Sequence, residues 1–315
     1  MDWRKEYAEK IVSVEEAVRH VQSGNRIVFT HACGEAQALT DELVRQADRL
    51  ENVEIVHMVA MGKAPYCQPG MEKHFRHNAL FVGGSTRKAV EEGRGDYTPC
   101  FFHEIPKLFT DGTLPVDVAF LQLSEPDENG VCSYGVSVDY TQPAAEAAKL
   151  VIAQINKNMP YTYGNGINLK DIDYIVEKDE PLIELQPPKI GETEHKIGEY
   201  VASLIHDGDT LQLGIGAIPD AVLSFLGDKK DLGIHSEMFS DGVVDLARKG
   251  VITNKKKTID QGKFVSCFLM GTKKLYDFVN NNPDVLMERV DYTNDPFVVA
   301  KIDNIISINS AMQVD

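Results

Sequence analysis

The sequence has few of the features that stabilise secreted domains or allow membrane insertion. Its five cysteines are odd in number and scattered, without a Cys-x-x-Cys pair. This spacing is typical of reduced thiols and argues against a disulfide framework. No apolar run approaches transmembrane length, and residues 1–22 lack the apolar core of a secretory signal. We therefore predict a cytoplasmic protein with no membrane partner.

Positive charge is also scarce in this chain. Lys and Arg number 32 against 48 Asp and Glu, so the formal net charge is -16 at pH 7. A surface this acidic repels nucleic acid and anionic membranes, and we predict neither as a partner. The rest of the composition, with 43% hydrophobic and 25% charged residues, is that of a globular protein. The 315 residues are enough for two domains.

Strand-like apolar runs alternate with helix-like segments, which predicts a mostly parallel sheet covered on both faces. Among the predicted strands is Ala79–Val82, after an irregular stretch at Gly62–His77. Two segment pairs resemble each other at nearly equal offsets: 21–29 with 205–213, offset by 184, and 116–121 with 302–307, offset by 186. We predict two similar open α/β domains from an internal duplication, residues 1–180 and 181–315. The second copy stops at Asp315 without the last elements of the first, so we expect it to be truncated there.

The most informative stretch is the run Leu211–Pro219, in which a short apolar strand passes through glycines into a helix. Backbone N–H groups at such a helix start attract phosphate or an oxyanion. A dinucleotide-binding fingerprint is the alternative, but Pro219 replaces its third glycine. About twenty residues on, Glu237 follows a second apolar stretch and should emerge at the carboxyl end of a neighbouring strand. An anion cradle beside a carboxylate suggests acyl chemistry, whereas a solvated turn carboxylate is the alternative for Glu237.

Three segments taken together resemble the acetyl-CoA hydrolase/transferase family of class I CoA-transferases: Gln212–Pro219, His235–Gly242 and Ser307–Ser310. The resemblance covers the whole chain. It implies two similar open α/β domains, an assembly of at least a homodimer, and coenzyme A as substrate and covalent carrier without a metal. It also implies that Glu237 becomes a glutamyl-CoA thioester, in ping-pong exchange of CoA between a short-chain acyl-CoA, such as 4-hydroxybutyryl- or butyryl-CoA, and acetate.

The candidate site residues follow from this resemblance and from the glycine loop. Glu237 is the predicted catalytic residue. His31 occupies nearly the same place in the first repeat as Ile215 does in the second, and it could bind the acceptor carboxylate from across the domain interface. The alternative for His31 is a structural role, in which the ring forms its hydrogen bonds within its own loop and binds no substrate. The other candidates are, for the cofactor, Gln212, Gly214, Ile215, Gly216 and Ala217, and, for the substrate, Ser236 and Asn309.

Other interpretations remain open at the level of sequence. An acyl-CoA hydrolase would use the same site with water as acceptor, and a non-catalytic CoA- or nucleotide-binding subunit would bind without turnover. The basic run Lys255–Lys257 is either a solvated loop or a contact for the CoA phosphates. Cys67, His74 and His77 have loose metal-like spacing but no fourth ligand, so we predict no metal.

Overall fold

A computed structural model describes residues 2–311, which form two compact units. The first contains the residues up to Tyr161 and Asn165–Ile183, and the second contains Thr162–Gly164 and the residues from Glu184 onward. Thr162–Gly164 falls within the predicted first domain, but its strand pairs inside the second unit. The predicted truncation at Asp315 lies outside the described residues.

A seven-stranded parallel sheet forms the centre of the first unit. Its strands, numbered along the chain, are β1 (Arg26–Phe29), β2 (Val53–His57), β3 (Phe75–Ala79), β4 (Gly95–Tyr97), β5 (Val118–Leu123), β7 (Leu150–Ile155) and β10 (Tyr174–Glu177). They lie in the order β10-β7-β5-β1-β2-β3-β4. A separate antiparallel pair joins β6 (Val131–Ser133) to β9 (Gly166–Asn168). This sheet confirms the predicted α/β class.

Helices cover both faces of this sheet. They are α1 (Trp3–Glu6), α2 (Val14–Arg19), α3 (Gln37–Arg45), α4 (Arg87–Glu91), α5 (Ile105–Thr110) and α6 (Thr141–Ala147). Alternate residues of β1 point to opposite faces, so Ile27 and Phe29 pack in one apolar cluster with residues of α2 and α3, whereas Val28 packs in another with residues of α5 and α6. The two clusters are the cores of a three-layer unit.

The second unit is built from short parallel strands. They are β8 (Tyr163–Gly164), β11 (Thr210–Leu213), β12 (Gly233–Ile234), β13 (Met238–Phe239), β14 (Phe264–Ser266), β15 (Phe268–Leu269), β16 (Val285–Met287) and β17 (Ile305–Ile308). They pair as β12-β11-β17, β13-β15 and β14-β16-β8. The helices are α7 (Glu192–Ser203), α8 (Ala217–Ser224), α9 (Asp241–Arg248), α10 (Lys273–Val279), α11 (Val290–Thr293) and α12 (Pro296–Val299). In residues 2–311, no helix has the length and apolarity needed to cross a membrane.

The two units share one local arrangement. In the first, β1 pairs in parallel with β2 and with β5, and in the second, β11 pairs in parallel with β12 and with β17. Each of these central strands follows a turn containing a positive-φ glycine, Gly24 or Gly208. The likeness is compatible with an internal duplication, which stays a prediction.

Candidate active site

Glu237 lies in the second unit, in the gap between β12 and β13. Its backbone carbonyl accepts hydrogen bonds from the N–H groups of Cys267 at 3.1 Å and Phe268 at 2.9 Å. The hydroxyl of Ser266 donates to the same oxygen at 3.1 Å. The thiol of Cys267 also donates to it at 3.1 Å, so donors from the adjacent β14–β15 segment fix the main chain from which the carboxylate extends.

Two side-chain amides reach the carboxylate of Glu237 at the same oxygen. Gln212 donates from Nε2 to Oε2 at 3.0 Å, and Asn294 donates from Nδ2 to Oε2 at 3.5 Å. Burial raises the pKa of Glu237. The hydrogen bonds from its own backbone N–H, from Gln212 and from Asn294 oppose that rise because they favour the ionised form. The structure thus brings the predicted Gln212 and Glu237 together.

The other end of the Gln212 side chain contacts β17. The pairing of β11 with β17 places Ser307 directly opposite Gln212. Gln212 Oε1 accepts from Ser307 Oγ at 2.5 Å and from Asn309 Nδ2 at 2.8 Å. Gln212 Nε2 also lies 3.4 Å from Asn309 Oδ1, so the two amides pair reciprocally. Asn309, a predicted substrate ligand, therefore contacts Gln212 with both of its polar atoms.

These side chains line a cavity of about 350 Å³, which we call the Glu237 cleft. Period-two alternation directs Ile305, Ser307 and Asn309 towards it. The complete lining is Gln212, His235, Ser236, Glu237, Thr293, Asn294, Val299, Ile305, Ser307 and Asn309. The cleft therefore combines one carboxylate with several amides and hydroxyls, and its described lining contains no Lys or Arg.

The glycine loop between β11 and α8 is only partly available as an anion cradle. The N–H of Gly214 donates to the carbonyl of Ile308 at 2.8 Å, continuing the β11–β17 pairing, so this N–H is already engaged, and cofactor binding by Gly214 stays a prediction. Within residues 2–311, the N–H groups of Ile215, Gly216 and Ala217 have no protein acceptor. Gly216 has φ 129°, a left-handed backbone that favours glycine. The cradle is thus reduced to residues 215–217 at the start of α8.

The neighbours of Glu237 in sequence serve the scaffold. The buried hydroxyl of Ser236 accepts from the N–H of Leu213 at 2.9 Å and donates to the Leu213 carbonyl at 3.1 Å. His235 Nε2 lies 2.9 Å from the carbonyl of Thr293, the residue before Asn294. Burial lowers the pKa of His235, so the ring stays neutral near pH 7 and donates from Nε2. These contacts hold β11 and the Asn294 segment beside the carboxylate, while substrate binding by Ser236 stays a prediction.

His31 belongs to the first unit and is buried there. Its Nδ1 lies 2.6 Å from Oδ2 of Asp139, which is also buried. Asp139 in turn accepts from the backbone N–H groups of Tyr140 at 2.6 Å and Thr141 at 3.2 Å. This network orients the imidazole. Binding of the acceptor carboxylate by His31 stays a prediction.

The basic run divides into exposed and buried lysines. Lys255 and Lys256 are exposed, whereas Lys257 is 3% exposed and donates to the carbonyls of Ile234 at 2.9 Å and Lys263 at 2.7 Å. The interpretation of the whole run as a solvated loop, or as a contact for phosphates, is therefore wrong for Lys257. Across residues 2–311, no group of three or more His, Cys, Asp or Glu side chains is arranged to hold a metal ion.

Asn294 is the site residue that sequence reasoning missed. It stands 57 positions from Glu237, immediately after α11, and no motif marks it. The signal that could have found it is weak, since an isolated polar residue at a helix end is usually a cap.

Comparison with known proteins identifies relatives along the whole chain. The acetyl-CoA hydrolase/transferase N-terminal domain matches residues 1–186, and the corresponding C-terminal domain matches residues 271–315. The chain is 63% identical over 316 residues to 4-hydroxybutyrate coenzyme A transferase of Clostridium kluyveri, covering 100% of this chain and 74% of that protein. It is 36% identical to butyryl-CoA:acetate CoA-transferase of Anaerostipes caccae, covering 100% of this chain and 72% of that protein.

Solved structures agree with these relatives. 4-Hydroxybutyrate CoA-transferase from Porphyromonas gingivalis superposes with a TM-score of 0.89 at 44% identity, covering 99% of this chain and 76% of that one. RipA from Yersinia pestis superposes with a TM-score of 0.94 at 33% identity, covering 100% and 76% respectively. The fold and the sequence therefore point to the same group of proteins.

Proposed function

This chain belongs to the acetyl-CoA hydrolase/transferase family, and from that premise we propose that it is a CoA-transferase with Glu237 as nucleophile. Its proposed substrates are a short-chain acyl-CoA, 4-hydroxybutyryl- or butyryl-CoA, and acetate as acceptor. The names of its relatives support this substrate class. The observation that carries the proposal is the Glu237 carboxylate in its cleft, with two amide donors on one oxygen.

The unequal surroundings of the two carboxylate oxygens suggest separate roles. In the proposed first step, Oε1 attacks the acyl-CoA carbonyl, the C–S bond breaks, and a mixed anhydride and a CoA thiolate form. The thiolate then attacks Cδ of Glu237. The bond from Cδ to Oε1 breaks, Oε1 leaves within the product carboxylate, and a glutamyl-CoA thioester remains with Oε2 as its carbonyl oxygen. The acceptor carboxylate reverses these steps, so no proton, metal or ATP is consumed.

Gln212 and Asn294 have a specific task in this sequence. When the thiolate attacks Cδ, negative charge develops on Oε2, the oxygen that both amides already contact. Donors in place before the charge forms stabilise the transition state without reorganisation. The free N–H groups at 215–217 are candidates for the second oxyanion, on the acyl carbonyl. Gln212 is therefore proposed as a catalytic residue and not only as a CoA contact.

The decisive experiment is the mass of the protein after incubation with butyryl-CoA. A stable increase equal to CoA less one water is expected for the wild type and absent for Glu237→Gln. Borohydride should inactivate the wild type only after acyl-CoA is added, and varying acetate should give parallel double-reciprocal lines. Exchange at the wild-type rate by Glu237→Gln would contradict the proposal, and butyrate release without acetyl-CoA formation would indicate a hydrolase. Homo-oligomeric assembly and a cytoplasmic location remain predictions.

A further inference from the structure

The direction of the Gln212 amide decides whether this residue helps Glu237. Its NH₂ group donates to the carboxylate, whereas its oxygen, turned the same way, would face the ionised carboxylate and repel it. The two ends of an amide differ little in shape, so packing alone does not choose between them. The carboxylate of Glu237 favours the NH₂ group, and hydrogen bonds at the far end of the Gln212 side chain can add to that preference.

β17 supplies these hydrogen bonds. The register that sets Ser307 opposite Gln212 brings its Oγ to 2.5 Å from Gln212 Oε1. Two residues on, Asn309 returns to the same face and adds a donor to Oε1 at 2.8 Å. Gly214 leaves room for it, because a Cβ there would lie 2.6 Å from Asn309 Oδ1.

We propose that Ser307 and Asn309 are positioning residues that hold the Gln212 amide with its NH₂ group towards Glu237. This inference rests on the proposed function and assigns Asn309 to Gln212 in place of the substrate. Two donors on Oε1 favour the arrangement in which Nε2 faces the carboxylate. Removing the donor of Ser307 or of Asn309 lets the Gln212 amide adopt the opposite orientation. In that orientation Glu237 Oε2 no longer accepts a hydrogen bond from Gln212, the nearer of its two amide donors.

The test is a double-mutant cycle on the full chain. The rate of CoA adduct formation in a single turnover is measured for the wild type, Ser307→Ala, Asn309→Ala and Gln212→Ala, and for each of the first two combined with Gln212→Ala. We expect Ser307→Ala and Asn309→Ala each to slow adduct formation about three- to tenfold, the cost of one hydrogen bond. In the Gln212→Ala background, each should slow it less than about twofold, because coupled residues do not add.

Two controls separate positioning from other roles. Ser307→Thr keeps the hydroxyl and should restore most of the rate that Ser307→Ala loses, while Ser310→Ala, at an exposed neighbouring position, should leave the rate unchanged. Equal slowing by Asn309→Ala with and without Gln212, together with a raised KM for acetate, would show that Asn309 binds substrate. That outcome would overturn the inference.

A titration without substrate makes the inference independent of turnover. The Glu237 carboxyl can be followed by ¹³C NMR of carboxyl-labelled glutamate, with Glu237→Gln assigning its signal. Ser307→Ala and Asn309→Ala should raise its pKa, since a donor to the charged form is weakened, and should cause no further rise once Gln212 is Ala. The same rise in both backgrounds would overturn the inference. If the wild type forms no adduct but the titration shows this dependence on Gln212, only the proposed function fails.

Discussion

The two oxygens of Glu237 have unequal surroundings, and this inequality is what individual side chains contribute to the site. Gln212 and Asn294 both donate to Oε2, although they come from different elements. A carboxylate that is half-buried and held in this way loses fewer orientations on reaching the transition state than a free one. Among residues 2–311, Glu237 is the one hydrogen-bond partner of the Asn294 side chain, so the effect of Asn294 should be visible in the chemical step.

Asn294→Ala should lower kcat about 100-fold, the usual cost of one oxyanion donor, with little change in the KM for acyl-CoA. The measurement is steady-state exchange between butyryl-CoA and acetate, with melting temperature as the control for folding. A raised KM at unchanged kcat would instead place Asn294 in ground-state substrate binding.

The loop after α9 shows how a basic run can serve the scaffold of a neighbouring strand. The side chain of Lys257 crosses β12 at Gly233, where a Cβ would lie 2.7 Å from Lys257 Cγ. Its ammonium ends between the carbonyls of Ile234 and Lys263. Burial lowers the pKa of Lys257 to about 8, against the usual 10.5. This lysine therefore links β12 to the segment before β14.

Lys257 should leave a signature in the pH dependence of stability. Between about pH 8 and 10.5 the unfolded chain binds this proton more than the folded one, so this group's contribution to stability rises with pH. The difference in unfolding free energy between wild type and Lys257→Met should therefore shift in favour of the wild type across that range. Urea titrations at pH 7.5, 9 and 10 measure it, and the exposed Lys256→Met is the matched control. If the unfolding free energies of Lys257→Met and wild type change with pH in parallel, the lowered pKa of the buried Lys257 is contradicted.

Across the chain, a net charge of -16 coexists with histidines that are buried neutral. In the first unit, burial lowers the pKa of His57 well below its usual value and that of His77 to about 4. Burial also raises the pKa of Glu35, in the same unit, to about 7. The two histidines lower the stability of the folded chain in acid. As pH falls below 6.5, they take up protons in the unfolded chain before they do so in the folded chain. Glu35 acts in the opposite sense, since its contribution is full below pH 4.5 and lost as pH rises to about 7.

We expect the contribution of the first unit to stability to fall as pH decreases from 6.5 towards 4, because two histidines, His57 and His77, outweigh one carboxyl, Glu35, in that window. His77→Leu should flatten the fall, and Glu35→Gln should steepen it, because the opposing contribution is gone. Urea unfolding at half-unit pH steps gives both slopes, with the exposed His206→Gln as a control that leaves them unchanged. Slopes that both variants leave unaltered would show that other groups control the acid response.

Local patterns determined the class of fold and the segments that carry the site. Ser13 caps α2 by accepting from the Glu16 N–H at 3.1 Å, a contact between residues three positions apart. The alternating strands and helices predicted a parallel sheet, which the first unit contains. The motifs around Gln212 and Glu237 were recognisable because each occupies a few consecutive residues. The predicted membership of the acetyl-CoA hydrolase/transferase family is confirmed for the chain as a whole.

Only the tertiary structure decided which groups meet. The strand predicted at Ala79–Val82 is wrong: β3 is Phe75–Ala79, whose polar Arg76 and Asn78 are satisfied across the sheet by Asp96 and Glu54. Likewise, the register of β11 with β17 brings Gln212 into contact with Asn309, 97 positions away in the sequence. The same register pairs the Gly214 N–H with the Ile308 carbonyl, so this N–H does not point freely towards a bound anion. Periodicity and motif spacing describe neighbours along the chain, whereas a hydrogen bond between distant residues depends on strand register and packing, which no short stretch of sequence fixes.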